Sequence, residues 1–546
     1  MSNCPLYIKY QTVSGGCYIF DAATNAILRV SRVVYSIIDD YRQLDNESLI
    51  EKYQSQFKKT DLQDALAALQ LFCQKGILRP HIEFTRPKLL GIRFEDATYS
   101  LDEFLANYSR MLTLELTHRC NLNCEYCCFG KYYSRYRSHG TATIDKEIAE
   151  KAISYHLDKL HSDCCITFYG GEPLLEFSLL RDLVFYTEQR CQTLGKEPPR
   201  FALTTNGTLL TDEIIHFFVE HRFSVLVSID GCKESHNKYR VFRNNGEGSY
   251  DLVRKNMQRF VELYPDFYGR GISLTLTADN DFEETNRVVK ELIPYYPTVL
   301  VNFVNSSIDF PLEPCCEHNT DECCKDRTPQ FHIWNQDFIN RYQSLYKKFE
   351  DMLFVSPEQA RKEYPLFYKI FEGEYRSMHK RTIEYQSVRR KMACSCIPGA
   401  VRLYCSIQGD YFPCEKTETT DLLKIGSVHT GIDAAKVASM IQILIDATDC
   451  DQCVGKDFCA ICPNFMNGQQ GHPFERFIKS HCVGLPQHIA NRLSAYTSIM
   501  EKQPNIFEMY KNESTGNDWL PHIQFVVKID RKASILSKER TADGKV

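Results

Sequence analysis

Between residue 111 and about residue 305, short apolar segments alternate with amphipathic helical segments, and this alternation constrains the fold more strongly than any other feature of the sequence. The strand-like segments are residues 112–117, 165–170, 201–206, 224–230, 272–278 and 299–304. Strands that alternate with helices form parallel sheets, because a parallel connection needs a long crossover. Six such units predict an α/β fold, a partial (β/α)6 TIM-like barrel, with functional groups at the carboxyl ends of the strands.

The rest of the chain divides into units with different patterns. Residues 1–85 predict a winged-helix-like module, with a hairpin around Ala23, Thr24 and Asn25, followed by three helices, the first capped by Ser31. A polar segment with prolines joins this module to the barrel. The other predicted units are the barrel at 105–307, a helical linker region at 308–392, a cysteine-rich region at 393–485, and a helix and tail at 486–546.

Charge and hydropathy argue against two classes of partner. The formal net charge is −5 and the isoelectric point is about 6.4, without a long basic run, so neither nucleic acid nor an anionic membrane is expected. The N-terminus lacks the apolar core of a signal peptide, and no uninterrupted apolar run reaches the ~18 residues of a membrane span. We therefore expect a soluble cytoplasmic protein.

The chain has 24 cysteines, and two groups of them are closely spaced. Disulfides are rare in a reducing compartment, so such groups indicate metal ligation. Cys120, Cys124 and Cys127 follow the first barrel strand on one short loop. Three thiolates can hold three irons of a four-iron, four-sulfur cluster and leave one iron open, whereas zinc sites usually have four ligands. Cys128 is interpreted as a neighbour rather than a ligand, because adjacent side chains point apart along an extended backbone.

This CxxxCxxC pattern, with Tyr126 in its last gap, resembles the radical S-adenosylmethionine (radical SAM) superfamily. The resemblance implies that the open iron binds the amino and carboxylate groups of the SAM methionine. Electron transfer would then cleave a C–S bond and give a 5′-deoxyadenosyl radical. The residues after the later strands match the family in the same order. The implied cofactor-binding residues are Tyr126, Gly170, Gly171, Glu172, Asn206, Ser228 and Arg240.

Each of these later matches implies a particular contact with the cofactor. The segment 170–173 matches the family's GGEP element, in which glycine lets the backbone approach a ligand closely. The carboxylate of Glu172 can pair with the cofactor's ammonium group. Asn206 stands where the family contacts the ribose region, and Ser228 and Arg240 would reach other polar atoms of the cofactor.

The C-terminal cysteines resemble the SPASM domain, an extension that binds two auxiliary four-iron clusters. By the family's interleaved pattern, the outer cluster would have Cys450, Cys453, Cys459 and Cys482 as ligands, and the inner cluster Cys396, Cys414 and Cys462. Cys394 is the first candidate for the fourth inner ligand and Cys405 the second. The third alternative is that the fourth iron has no protein ligand and binds substrate. One departure is that two residues separate Cys459 from Cys462, where the family usually has three. A zinc ribbon is the alternative for this region.

A hairpin and three helices ahead of a radical barrel resemble the precursor-peptide recognition element of RiPP (ribosomally made, modified peptide) maturases. Such elements bind a leader peptide as an added strand. The segment 120–153 and the early hairpin together resemble the group that modifies Cys-rich peptides, which typically makes thioether crosslinks from cysteine sulfur to a carbon. The resemblance implies SAM and three 4Fe-4S clusters as cofactors. The implied partners are a Cys-rich precursor peptide, bound through its leader, and a flavodoxin- or ferredoxin-type electron donor.

Other functions stay open from the sequence. A maturase that forms C–C crosslinks, epimerises residues or oxidises the peptide would have the same architecture. An anaerobic sulfatase-maturating enzyme, which forms formylglycine, would share it too, although that group usually lacks the N-terminal module. A non-enzymatic alternative is a zinc-stabilised scaffold that binds peptides.

Two groups of residues receive no assignment from the sequence. Asp279, Asn302 and Asn305 are polar residues near later strand ends, and none of them is identified as a catalytic base. The cysteines without a place in the family pattern are either surface thiols or an extra metal or redox clip, and these are Cys315, Cys316, Cys323 and Cys324.

Overall fold

A computed structural model describes most of the chain. The described residues are 6–41, 43–78, 84–94, 97–127, 129–130, 137–159, 164–304, 336–381, 383, 397–447, 453–455, 458–459, 461–466, 473–507 and 523–531. The residues of interest that lie outside these ranges are Cys128, Asn305, Cys315, Cys316, Cys323, Cys324, Cys394, Cys396 and Cys450. Of the described helices, none is long and apolar enough to cross a membrane.

The N-terminal module is a three-stranded antiparallel sheet with three helices. Its elements are β1 (Tyr7–Gln11), β2 (Cys17–Asp21), β3 (Ala26–Val30), α1 (Arg32–Ile37), α2 (Asn46–Tyr53) and α3 (Lys59–Gln74), and the sheet order is β1-β2-β3. The hairpin and the three helices expected from the sequence are present. The Ser31 hydroxyl accepts a hydrogen bond from the Val34 amide at 3.2 Å, as expected for a helix cap. β1 was not predicted.

The next segment, predicted as a polar connection, contains β4 (Phe84–Phe94), β5 (Ala97–Tyr99) and α4 (Leu101–Asn107). The barrel strands are β6 (Met111–Thr117), β7 (Cys165–Gly170), β8 (Arg200–Thr205), β9 (Ser224–Ser228), β10 (Arg270–Leu276) and β11 (Thr298–Phe303). The helices between them are α5 (Lys146–Leu157), α6 (Phe177–Leu194), α7 (Asp212–Glu220), α8 (Lys233–Tyr239), α9 (Tyr250–Leu263) and α10 (Phe282–Leu292). The six strands pair in parallel and in chain order, which confirms the predicted α/β fold.

The cysteine-rich region continues the barrel sheet. It follows the helices α11 (Gln336–Val355), α12 (Pro357–Glu363) and α13 (Pro365–His379), and it contains β12 (Leu403–Cys405), β13 (Asp410–Phe412), β14 (Gly426–Ser427), β15 (Gly431–Ile432) and α14 (Ala434–Asp446). β12 pairs in parallel with β6, so that Leu403 lies opposite Leu112 and Cys405 opposite Leu114. The ten strands therefore form one sheet, from β11 at one edge to β15 at the other.

The end of the chain differs from the predicted helix and tail. The helix α15 (Pro473–Lys502) crosses the boundary predicted at residue 485. The strand β16 (Ile523–Arg531) lies in the segment predicted as a tail and pairs antiparallel with β4. Both partners of this pairing are far apart in the chain, so no local pattern indicates it.

The two faces of the β1–β3 sheet pack against different cores. Ile19 belongs to the apolar core that the sheet forms with α1, α2 and α3. On the other face, Phe20 is fully buried and its ring centroid lies 5.4 Å from that of Phe458 in the C-terminal region. α15 adjoins β1, where the Ser494 hydroxyl donates to the Gln11 carbonyl at 2.6 Å. The N-terminal module is therefore packed directly against the C-terminal region.

Candidate cofactor and metal site

The three predicted cluster ligands lie on the loop 120–127 after β6, and the chain's own hydrogen bonds fix the backbone of this loop. The Asn123 amide donates to the Val241 carbonyl at 2.8 Å. Arg243 donates through Nε to the Cys120 carbonyl at 3.1 Å. The segment after α8 therefore holds the cysteine loop in place.

Two glycines at the end of β7 let this strand approach the cysteine loop. Gly170 has a φ of +141°, a conformation that residues with a side chain rarely adopt. A Cβ atom at Gly171 would lie 2.1 Å from the Arg119 carbonyl oxygen. The amides of Gly171 and Glu172 donate to the carbonyls of Thr117 and Arg119 at 2.8 and 2.7 Å. Both glycines are thus needed for contact between the end of β7 and residues 117–119. The sequence had instead suggested that they allow close approach to a ligand.

The carboxylate of Glu172 is buried and joins the ends of two strands. It accepts hydrogen bonds from the Leu174 amide at 3.0 Å, the Thr205 hydroxyl at 2.8 Å and the Asn206 amide at 2.7 Å. Burial raises the pKa of Glu172 to about 7, although these three donors act in the opposite direction. The pairing of Glu172 with the cofactor's ammonium group stays a prediction.

Asn206 lies beside the first cysteine of the loop. Its amide nitrogen donates to the Asn121 side-chain oxygen at 2.8 Å and lies 4.0 Å from the Cys120 sulfur. Its own side-chain oxygen accepts from the Thr208 amide at 3.0 Å. These bonds orient the Asn206 side chain towards the cysteine loop, and its contact with the cofactor stays a prediction.

Tyr126 and Arg240, both predicted cofactor residues, meet at the buried carboxylate of Asp230. Arg240 donates through Nε to Asp230 at 2.6 Å, and the Tyr126 hydroxyl donates to the same carboxylate. The guanidinium carbon of Arg240 lies 5.5 Å from the centroid of the Tyr126 ring. The Thr275 amide also donates to Asp230, at 2.9 Å. Sequence analysis missed Asp230, although its place as the last residue of the predicted strand 224–230 is a signal that could have identified it.

His236 links Asp230 to the backbone of Arg240. Its Nδ1 accepts from the Asp230 amide at 3.3 Å, so its Nε2 donates to the Ser249 hydroxyl at 3.0 Å. The Ser249 hydroxyl in turn donates to the Arg240 carbonyl at 2.9 Å. Burial lowers the pKa of His236 to about 4, so the ring is neutral at neutral pH. No motif or spacing in the sequence indicates this role of His236.

The donors present fit the groups that the motifs imply. Three thiols on one loop are the donor type of a four-iron cluster, so Cys120, Cys124 and Cys127 would hold it. Ser228, at the end of β9, is 8% exposed, and its hydroxyl makes no hydrogen bond to any residue that the structure describes. Such a hydroxyl can serve a bound cofactor. Within the described ranges, no three His, Cys, Asp or Glu side chains are placed to hold a single metal ion.

The C-terminal cysteines are only partly described. Those within the described residues and partly buried are Cys414, Cys453, Cys459, Cys462 and Cys482. Cys405 is fully buried on β12, where its thiol lies 3.6 Å from the Ser406 carbonyl oxygen. Because Cys394, Cys396 and Cys450 lie outside the described ranges, both auxiliary clusters and the fourth inner ligand stay predictions.

No catalytic base is identified among the polar residues proposed from the sequence. The Asp279 carboxylate accepts from the Tyr239 hydroxyl and forms an ion pair with Lys238 at 2.9 Å. Asn302 lies within β11, and its amide nitrogen is 3.5 Å from the Leu274 carbonyl oxygen. These contacts assign neither residue as the base.

Comparison with known proteins identifies the class of the central domain. The sequence profile described as the radical SAM superfamily matches residues 114–289, which include the cysteine loop and the strand ends described above. The chain therefore contains a radical SAM domain.

Similarity to individual proteins is lower and partial. The cysteine-type anaerobic sulfatase-maturating enzyme of Clostridium novyi is 24% identical over 254 residues, which cover 45% of this chain and 64% of that protein. The serine-type enzyme of Bacteroides thetaiotaomicron is 36% identical over 127 residues, 22% of this chain and 29% of that protein. The chain thus spans less than two thirds of each relative. The crystal structure of Streptococcus suis SuiB bound to precursor peptide SuiA aligns with a TM-score of 0.43 and 11% identity, covering 88% of this chain and 99% of that one.

Replacing Gly171 by alanine should disturb the cysteine loop. The added Cβ would lie 2.1 Å from the Arg119 carbonyl oxygen, so the loop must move. We expect a loss of about 1–3 kcal/mol in the free energy of unfolding, and less iron bound per chain after anaerobic reconstitution. The control is Gly373→Ala in α13, where a Cβ meets no atom within 4 Å. Equal iron content in the two variants would contradict the structural role of Gly171.

The buried His236 should make folding stability depend on pH. Its pKa is about 4 in the folded chain and 6.5 as its ordinary value, so between these values only the unfolded chain takes up the proton. Stability is therefore lost as the pH falls, by roughly 2 kcal/mol at about pH 5 relative to neutral pH. His236→Asn should reduce the fall in melting temperature between these two pH values. The exposed His429 provides the control, and His429→Asn should leave this fall unchanged.

Proposed function

We propose that this chain is a radical SAM enzyme that modifies a ribosomally made Cys-rich precursor peptide, forming intramolecular thioether crosslinks from cysteine sulfur to carbon. The radical SAM domain supports the radical part of this proposal. The observation that carries the peptide part is an unpaired sheet edge in the N-terminal module.

The edge in question belongs to β3. Among the described residues, no strand pairs with its outer side, while its inner side pairs with β2. The opposite edge of the sheet is occupied by α15, through Ser494 on Gln11 and through the Ser498 hydroxyl, which accepts from the Val13 amide at 3.1 Å. An extended leader peptide could therefore add to this sheet at β3, where main-chain hydrogen bonds give affinity.

The same module touches the region predicted to hold auxiliary clusters. Phe20 on β2 packs against Phe458, which directly precedes the predicted ligand Cys459. Leader recognition and the cysteine-rich region would thus be parts of one packed unit. This arrangement supports a role of the module in presenting a peptide for modification.

Each proposed crosslink removes two hydrogens from the peptide. The carbon loses a hydrogen atom, the cysteine thiol loses a proton, and one electron passes to an acceptor. When bound, SAM and the iron–sulfur clusters would supply the radical that takes the hydrogen atom and the acceptor for the electron. The chain's own residues would hold these groups at the ends of the barrel strands and keep water from the reacting carbon.

Sulfatase-type maturation is the second candidate. It is favoured by the sequence similarity to two anaerobic sulfatase-maturating enzymes. Oxidation of Ser to formylglycine would also remove two hydrogens and leave a carbonyl group. Oxidation of Cys would remove two hydrogens to give a thioaldehyde, whose hydrolysis takes up water, releases hydrogen sulfide and leaves the same carbonyl group. C–C crosslinking, epimerisation and other peptide oxidation stay possible within the same class, and a zinc-stabilised peptide-binding scaffold is the non-enzymatic alternative.

Mass spectrometry of a cognate precursor separates these candidates. With anaerobically reconstituted enzyme, reductant and SAM, we expect 5′-deoxyadenosine and a peptide lighter by about two daltons per crosslink, with one thiol fewer and no carbonyl reactivity. A product that reacts with a carbonyl reagent would favour formylglycine formation. Formylglycine made from Ser has the same mass loss as a crosslink, whereas formylglycine made from Cys is lighter still, because oxygen replaces sulfur. A colourless protein with zinc, and without iron or sulfide, would leave only the scaffold.

Proline substitutions should reveal leader binding at β3. Neighbouring amides of a strand point to opposite sides, so in Leu28→Pro and Arg29→Pro one variant loses an outward amide and the other an inward amide. The variant that loses the outward amide should fold normally and bind a leader peptide about tenfold more weakly by fluorescence anisotropy. The variant that loses the inward amide should lose pairing with β2 and melt at a lower temperature. Wild-type affinity in the variant that folds normally would contradict binding at this edge.

A further inference from the structure

Arg137 connects the cysteine loop to the C-terminal region. It is 8% exposed, and its guanidinium carbon lies 5.1 Å from the ring centroid of Phe129 and 5.3 Å from that of Tyr404. Its two terminal nitrogens donate to the Tyr404 hydroxyl at 3.3 Å and to the Glu415 carbonyl at 2.6 Å. One side chain of the barrel thus holds three groups, two of which belong to the C-terminal region.

Phe129 and Glu415, the residues on the two sides of Arg137, each adjoin a predicted metal ligand. The Phe129 amide donates to the Cys127 sulfur at 3.4 Å, and Glu415 directly follows Cys414. A short series of contacts therefore runs from a ligand of the radical SAM cluster, through Arg137, to a predicted ligand of the inner auxiliary cluster. No sequence motif had singled out Arg137.

Arginine suits this position for physical reasons. A planar guanidinium can stack on aromatic rings and still donate in its own plane, whereas a lysine ammonium is a point charge without this geometry. A buried cation is stable only when its donors are satisfied, and Arg137 meets this condition through Tyr404 and Glu415. Breaking either contact leaves donors unsatisfied, so the arrangement is held tightly.

We propose that Arg137 is a positioning residue that fixes the cysteine loop against the segment carrying Cys414, and so sets the separation between the radical site and the auxiliary site. The second half of this statement rests on the proposed function. A substrate radical left after hydrogen abstraction must lose an electron before it is quenched, and electron tunnelling weakens steeply with distance. We call the contacts of Arg137 with Phe129, Tyr404 and Glu415 the clamp. By fixing this separation, the clamp would favour crosslinked product over unproductive cleavage of SAM.

Arg402 offers a matched control. It binds the same residue, since its terminal nitrogen donates to the Glu415 carboxylate at 2.5 Å, but its side chain is 43% exposed. Arg402→Gln removes this ion pair at the Glu415 end and leaves the Arg137 side chain in place.

Hydrogen–deuterium exchange on the reconstituted full chain tests the clamp without reference to activity. Arg137→Gln should speed exchange about tenfold in fragments containing Phe129 and Glu415, the effect of losing a charge-assisted hydrogen bond. Arg402→Gln should speed exchange only near Glu415. Unchanged exchange at Phe129 in Arg137→Gln would overturn the proposal. If this variant does not fold, Phe129→Leu keeps the amide that contacts Cys127, removes the ring, and should speed exchange in the same fragment.

Product coupling tests the second half. Arg137→Gln and Arg137→Lys should give about tenfold fewer crosslinks per 5′-deoxyadenosine formed, because both lose the planar fork. Arg402→Gln should keep the wild-type ratio. A wild-type ratio in Arg137→Gln would refute control of the separation, and full rescue by Arg137→Lys would show that charge alone acts. If the wild type binds a single cluster or never crosslinks peptide, the proposed function fails. The exchange data would still show whether Arg137 holds Phe129 against the Glu415 segment.

Discussion

The close approach of β7 to the cysteine loop is the contact on which the site depends. Gly171 and Glu172 donate hydrogen bonds to Thr117 and Arg119, and a side chain at Gly171 would collide with the Arg119 carbonyl. Glu172 then passes the constraint to β8 by accepting from Asn206. The positions of the cysteines are therefore fixed by neighbouring strand ends rather than by the loop alone.

A single sheet joins the parts of the chain that the chemistry would need to bring together. β12 pairs with β6, so the strand that precedes the cysteine loop is also the strand that carries the C-terminal region. The N-terminal module packs on that region through Phe20 and Phe458. Arg137 adds a direct contact between Phe129, whose amide donates to Cys127, and the segment of Tyr404 and Glu415 that flanks Cys405 and Cys414. The edge proposed to bind peptide, the cysteine loop and the cysteine-rich region are thus linked through adjoining packed surfaces.

The barrel was predictable because its signals are local. Apolar periodicity marked all six strands to within a few residues, and the motif residues follow those strands. Asp230 and His236 were missed for a different reason. Their importance lies in hydrogen bonds to Tyr126, Arg240 and Ser249. A lone His has no periodic or spacing signal that separates it from an ordinary polar residue, and the only signal for Asp230 is its position at the end of a predicted strand.

The sequence by itself determined the parallel barrel, the three-cysteine loop and the hairpin module, since each depends on spacing within a short segment. The tertiary structure alone decided that β12 joins β6, that β16 returns to β4, and that Arg137 bridges Phe129 and Glu415. The physical reason is that these contacts join residues far apart in the chain. Their stability comes from packing and hydrogen bonds that form only after the separate units have folded.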